Sequence, residues 1–419
     1  MVTKKELLAL PKREIIRQHL ALLERVEKLE QLFKQFDNAH TPSSKKRKKS
    51  DAPKEGRFPG KPKGGNGGGI KMPPKDRTEE HTLEECPDCH NELEDPTYQI
   101  AQRQLDLPPK MAICTEHIIN HYFCSNCNKD VAATKINGRY GHRTKAYVAS
   151  LKEKGLSCQE ISSHMRELGF STFSVYAVIS FIVFFTDLLE PVRNELLKQL
   201  KQSEYVHMDE TGFRKDGQNG YIWGFFNEKI SILSAELTRS AKIVKNVLGN
   251  FLGLGITDGY VGYHGLKLRQ RCWAHLLREF KELSQKYPEL EPMYKRAKAL
   301  YQRLLSYVDE VPSDKVKETL LFELQDIVVC LQTHKSGRKL AKQILNGKND
   351  WFRAWDFPGA PFQNNLAERG LRRAVMLRKR IGCYRNQVGQ RWINICMSVM
   401  QTWRMQGLSI YQMLCSYST

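Results

Sequence analysis

Several things are missing from this 419-residue chain, and each absence closes off a class of protein. No stretch approaches the ~18–20 uninterrupted apolar residues of a membrane-crossing helix. The nearest, Val178–Leu189, is shorter and carries Ser180, Thr186 and Asp187. The start, Met1-Val2-Thr3-Lys4-Lys5-Glu6, has no apolar core followed by a small-residue cleavage site, so the expectation is a cytoplasmic protein with no membrane partner. The glycine run Gly64-Gly65-Asn66-Gly67-Gly68-Gly69 precedes no Gly-Lys-Ser/Thr and follows no strand pattern, which removes a phosphate-cradling loop. Nor do the eleven cysteines make a disulfide framework. Their number is odd and their only tight pattern is two C-x-x-C pairs, which favours metal in a cytosolic chain.

Acidic residues are also in short supply. Against 46 Asp and Glu stand 66 Lys and Arg, a net charge of +20. A polyanionic partner such as nucleic acid fits that balance, with an anionic membrane surface as the alternative. Hydrophobic residues make up 41%, enough to build a core, and the length allows two or three domains.

The N-terminal stretch spaces Ile15, His19, Leu22, Val26, Leu29, Phe33 and Phe36 by fours and threes, which predicts a coiled-coil helix within 1–40 or a single amphipathic helix lying on the body. Residues 41–80 read as a flexible basic linker, since Thr41 to Arg77 holds twelve Lys and Arg, three Asp and Glu, and six prolines. Within 81–135 come Cys86-Pro87-Asp88-Cys89 and Cys124-Ser125-Asn126-Cys127. Four thiolates in two knuckles are what a tetrahedral structural Zn²⁺ needs, and the gap between them leaves room for a hairpin. Residues 140–200 read as helices. Ser157-Cys158-Gln159-Glu160 has capping-box form, the helix it opens stops at Gly169, and Ser171 or Thr172 can cap the next. The pattern suits a DNA-binding helix-turn-helix or a plain bundle packed on the core.

The chemistry is expected from 201 onward. His207-Met208-Asp209-Glu210-Thr211-Gly212 precedes the aromatic strand pattern Tyr221–Phe226. A second carboxylate, Asp258, ends the apolar run Phe251–Ile256 and is followed by Gly259. A third, Glu368, lies in a helical pattern with Leu366, Gly370 and Ala374. Glu210, next to Asp209 on a strand, falls on the opposite face and is the weaker ligand candidate. Two strand-end Asp and one helix Glu are hard oxygen donors of the kind that hold Mg²⁺ against a phosphate. Two such ions roughly 4 Å apart serve an in-line phosphoryl displacement.

Those segments, with Gly262-Tyr263, Cys272-Trp273-Ala274-His275, Arg278, Phe280 and Asn364-Asn365-Leu366-Ala367-Glu368-Arg369, resemble the IS66 family of insertion-sequence transposases in order and spacing. The resemblance implies a multidomain α+β protein whose catalytic core is ribonuclease-H-like α/β. It also implies a DDE triad on Asp209, Asp258 and Glu368, with two Mg²⁺ ions for which Mn²⁺ can substitute. By the same likeness the zinc module at 81–135 binds DNA, and small companion proteins of the same prokaryotic element take part. The core is expected at 201–281 and 351–419, split by a helical insertion at 282–350 that holds DNA ends or serves as scaffold. Around Glu368, Arg369, Arg372, Arg373, Arg378, Lys379, Arg380 and Arg385 are candidates for the phosphates flanking a cut, or else a solvated basic face. His275 is either a donor near the scissile phosphate or a packed histidine, and Cys272 reads as core. The expected function is cleavage at the element's ends and strand transfer by a homodimer or larger assembly. A nuclease or resolvase of the same fold and a catalytically inactive DNA-binding regulator are the alternatives.

Overall fold

The computed structural model describes residues 78, 111–119, 121–124, 129–132, 138–382, 384 and 386–418. The expected coiled coil and basic linker lie outside the described residues. So does the zinc site, of which the backbone of Cys124 alone is described, in a two-stranded ladder of β1 (His121–Cys124) with β2 (Lys129–Ala132).

The centre of the molecule is a five-stranded sheet of order β5-β4-β3-β6-β7. Strand β3 (Tyr205–Lys215) turns back into β4 (Gln218–Phe226) through Asp216-Gly217, both at positive φ, the two-residue turn whose twist matches that of the strands. Strand β5 (Ser231–Glu236) extends the antiparallel side. Strands β6 (Leu254–Thr257) and β7 (Leu268–Arg271) run parallel to β3 on the other. Side chains alternate between faces, as strand geometry requires. Ile222 and Phe226 enter one core with Leu233, whereas Trp223 and Phe225 enter another with Met208 and Ile232.

The first face is covered by helices from both ends of the described chain. Helix α1 (His142–Glu153), α2 (Cys158–Glu167) and α3 (Val175–Lys201) share one apolar cluster with the sheet. The capping box at Ser157 forms with both of its hydrogen bonds. The third helix departs from the sequence reading. Its cap is Ser174, not Ser171 or Thr172, because buried Phe173 is anchored through its carbonyl to Ser162 and Arg166 and holds the turn open as far as Ser174. It is also 27 residues long rather than a short recognition helix. By length and apolar content alone α3 is the described helix that could cross a membrane, yet Phe181, Phe185 and Leu189 are buried in the core cluster it shares with the sheet. Each such burial contributes about 2 kcal/mol.

The second face carries α4 (Lys242–Leu248) and Tyr263. Beyond β6 and β7 stands an all-helical unit of α5 (Trp273–Lys286), α6 (Glu291–Leu305), α7 (Asp314–Thr333) and α8 (Arg338–Gly347), closed by Trp351, Phe352 and Trp355. Helix α9 (Asn365–Ile381) then returns to the first face across β3 and β4. It lies close because Gly370 faces the ring of Phe226, which a Cβ there would meet at 2.5 Å.

The chain closes with α10 (Gln387–Arg391), a π-helical stretch Trp392–Met397 and α11 (Ser398–Met405) run together, then α12 (Ile410–Tyr417) after Gly407 at positive φ. Asn394, Ser398 and Thr402, one turn apart, accept the N–H groups of Ala235, Leu233 and Ser231 on the sheet's edge strand at 2.7, 2.8 and 3.0 Å. Those donors would otherwise stand unpaired.

Gly370→Ala is expected to lower stability by about 2 kcal/mol through overpacking, with partial recovery in the double variant Gly370→Ala with Phe226→Leu, measured by denaturant unfolding.

Candidate active site

Parallel pairing aligns His207 of β3 with Ile256 of β6; Asp209 lies further along β3, Asp258 comes directly after the end of β6, and the two are close enough for the charge of Asp258 to act on Asp209. Asp209 Oδ1 accepts the backbone N–H of Glu210 at 2.9 Å, and Asp258 Oδ1 that of Tyr260 at 2.9 Å. Glu368 comes in the first turn of α9. Its Oε1 lies 3.5 Å from His275 Nε2 and 3.9 Å from Arg278 Nη2, both on α5. Burial first, and then the charges of Glu210, Asp258 and Glu368, push the Asp209 carboxyl well above the usual range.

Four chain segments meet here, and one buried side chain ties them. Asn364, at the start of α9, donates from Nδ2 to the carbonyl of Met208 at 2.7 Å, one residue before Asp209. Its Oδ1 is 3.0 Å from His207 Nδ1. Since the Asn364 amide nitrogen is engaged by Met208, the histidine must donate from Nδ1. Burial lowers the His207 pKa to about 4, which keeps the ring neutral. The backbone N–H of Asn364 points to Cys272 Sγ at 3.1 Å, and the N–H of Cys272 donates to Thr257, next to Asp258. Cys272 is buried, as its sequence setting suggested, and burial raises its thiol to about 11. Asn364 and Arg278 were visible in the motifs but carried no role there. The contacts that give them one are long-range.

Glu210 is on the other face of β3, where Arg239 donates to Oε1 and Tyr263 to Oε2. Burial and Asp258 raise its pKa, and the Arg239 guanidinium is stacked 3.7 Å above the ring of Tyr260.

The basic residues of α9 divide. Glu368, Arg372 and Lys379 fall on one stripe of the helix, and Arg369, Arg372 and Lys379 are exposed. Arg373 is turned to buried Glu153, with Nη2 to Oε2 at 2.7 Å, and Arg404 binds the same carboxylate in bidentate fashion. Arg378 donates to the Gly212 carbonyl and to Thr211, and Arg380 pairs with Glu160 at 3.3 Å. Arg385 lies outside the described residues.

Among the described residues no three His, Cys, Asp or Glu side chains are drawn together closely enough to form a ready metal cluster. Asp209 and Asp258 are each turned to a backbone N–H, and Glu368 stands at ion-pair distance from His275 and Arg278. The donor set nevertheless suits a hard divalent cation: all oxygen, with Asp209 crowded by like charge and Glu368 Oε1 buried without a hydrogen bond. Mg²⁺ well above its dissociation constant is therefore expected to raise the melting temperature of the wild type by several degrees and to leave Asp209→Asn unmoved. Asn364→Ala strands the Met208 carbonyl and the His207 Nδ1–H, with an expected cost of about 2–4 kcal/mol by thermal unfolding.

Residues 137–391 match the family model described as "Transposase IS66 family". No curated protein matches the chain. The matched span covers more than half of the sequence, from α1 to the end of α10, and holds the whole sheet with Asp209, Asp258, His275, Asn364 and Glu368. The chain belongs to the IS66 family of transposases.

Proposed function

We propose that the protein is a DNA transposase of the DDE type, built on a ribonuclease-H-like core, that cuts at the ends of its element and joins the freed ends to target DNA. The observation that carries this is the convergence of Asp209 on β3, Asp258 just past the adjacent parallel strand β6 and Glu368 in the first turn of α9, near enough for both other charges to act on Asp209. The sheet order, an antiparallel β3-β4-β5 continued by parallel β6 and β7, supports the core assignment.

Asp209, Asp258 and Glu368 would hold two Mg²⁺, or Mn²⁺ in their place. Bound there, the ions supply Lewis acidity to the attacking and leaving oxygens of an in-line displacement. The chain's own groups do the rest. Asn364 fixes the start of α9 against β3 and so sets where Glu368 stands. His275 and Arg278 hold Glu368 on the α5 side and offer donors to a phosphate. Arg372 and Lys379, on the same stripe of α9, lie where DNA backbone would run past the carboxylates, and Arg369 flanks them. In cleavage, water attacks the phosphorus and the 3′-oxygen leaves as a hydroxyl. That hydroxyl then attacks a target phosphodiester, whose own 3′-oxygen departs.

Around this core a structural Zn²⁺ on Cys86, Cys89, Cys124 and Cys127 would order a module that recognises the element's ends together with the basic linker and the helices of 140–200. Companion proteins of the element would take part, and the work would be done in the cytoplasm on nucleoid DNA. Arg373, Arg378 and Arg380, each engaged by a carboxylate, a hydroxyl or a carbonyl within the chain, contribute less to DNA than the exposed set.

The test is a strand-transfer assay with end oligonucleotides from the protein's own locus and Mg²⁺, comparing wild type with Asp258→Asn. Joined product from the wild type alone, with DNA binding kept in both, is expected. Cut ends without joining would turn the reading to a nuclease or resolvase, and binding with no chemistry in either protein to an inactive regulator. Product undiminished in the variant would move the active site elsewhere.

A further inference from the structure

Beside α9 lies a groove of about 580 Å³ whose apolar floor the chemistry does not use. Phe226, Leu366, Met376, Leu377 and Met405 give it an apolar lining, and Arg369, Arg372 and Arg380 stand exposed around it. Met376 is 59% exposed although it sits among those apolar side chains. A duplex backbone has no use for an apolar floor. An amphipathic helix with acidic residues uses both parts of such a groove, its apolar side chains below and its carboxylates at the rim.

The chain carries such a helix. On α7, Phe322 and Val329 are 70% and 58% exposed, seven residues apart on the outer stripe, while Leu320, Leu324, Ile327 and Leu331 are buried in the helical unit. Glu318 and Asp326 interleave with them at helical spacing; Glu318 is exposed, and Asp326 reaches Arg296 at 2.6 Å yet remains half exposed. Phe322 and Val329 stand about 10 Å apart along the axis, and the part of α9 that lines the groove, Leu366 to Arg380, is about 20 Å long. Helix α3 shows an apolar outer stripe too, Tyr176, Ile179 and Val183, but no acidic residue falls among them. Within its own chain α7 packs on α6 and α8 in the helical unit, a different cluster from the one that holds α9.

We propose that α7 of one copy docks in the arginine-rimmed groove of a second copy, with Phe322 and Val329 on the apolar floor and Glu318 against Arg369 or Arg372. Repeated reciprocally about a two-fold axis, the contact closes a dimer in which each helical unit braces the partner's Glu368-bearing helix. This goes beyond the catalytic proposal and needs neither DNA nor metal.

The experiment places a photo-crosslinking p-benzoylphenylalanine at position 322 of the full-length chain, in the absence of DNA and metal. A product of twice the chain mass is expected, with the adduct in peptides spanning 366–380 or 401–405. Met376→Glu should reduce its yield at least tenfold, and Arg369→Glu should reduce it with recovery on adding Glu318→Arg. A crosslink within one chain, a crosslink to any other surface, no adduct, or a yield unchanged by Met376→Glu overturns the proposal. Transfer of the adduct to added end DNA in place of protein would reassign the α7 stripe to nucleic acid.

Discussion

The geometry of the site depends on one buried amide. Asn364 spends its side chain on the strand that carries Asp209 and its backbone N–H on the residue that opens α5, so the helices bearing Glu368 and His275 are both referenced to the sheet. No other arrangement of the amide would satisfy Met208 and His207 together, and the burial that makes these bonds strong also keeps His207 uncharged. The carboxylates themselves do not bind the site together. They repel, and it is the neutral network beneath them that holds them in one neighbourhood.

The cations are placed by a different rule. Buried Glu153 takes three hydrogen bonds from the guanidiniums of Arg373 and Arg404, and a fourth joins Arg373 to its backbone carbonyl. A carboxylate taken out of water is tolerable only with partners of this quality. The clamp fastens the end of α1 to α9 and α11, and so ties the helices that precede the sheet in sequence to the helix that carries Glu368.

Much of this was legible in the sequence where local rules decide. The capping box at Ser157, the burial of Cys272 and the helical run between Asp258 and Glu368 follow from spacing and side-chain type. The pairing of β3 with β6, which brings Asp209 near Asp258, was not, since strand partners are chosen by packing far along the chain. The Asp216-Gly217 turn is a plain hairpin signal of the same local kind. Hidden for a physical reason were the roles of Asn364 and Glu153, because a polar residue in a helical pattern looks the same whether it faces solvent or a buried carbonyl. The length of α3 was similarly hidden: the polar residues that interrupt its apolar run at Ser180 and Thr186 bond back to their own helix.

The polar ladder of Asn394, Ser398 and Thr402 bears on how copies of the chain can assemble. An edge strand with its donors free is a template on which another chain can add a strand, and that route leads without limit from pair to fibre. Here β5 is occupied along its length by side chains of a covalently attached helix, so growth of the sheet in that direction is foreclosed in the folded state. Association of the protein on that side has to be between helices, whose contacts are finite in extent and can be undone when the work on DNA is complete.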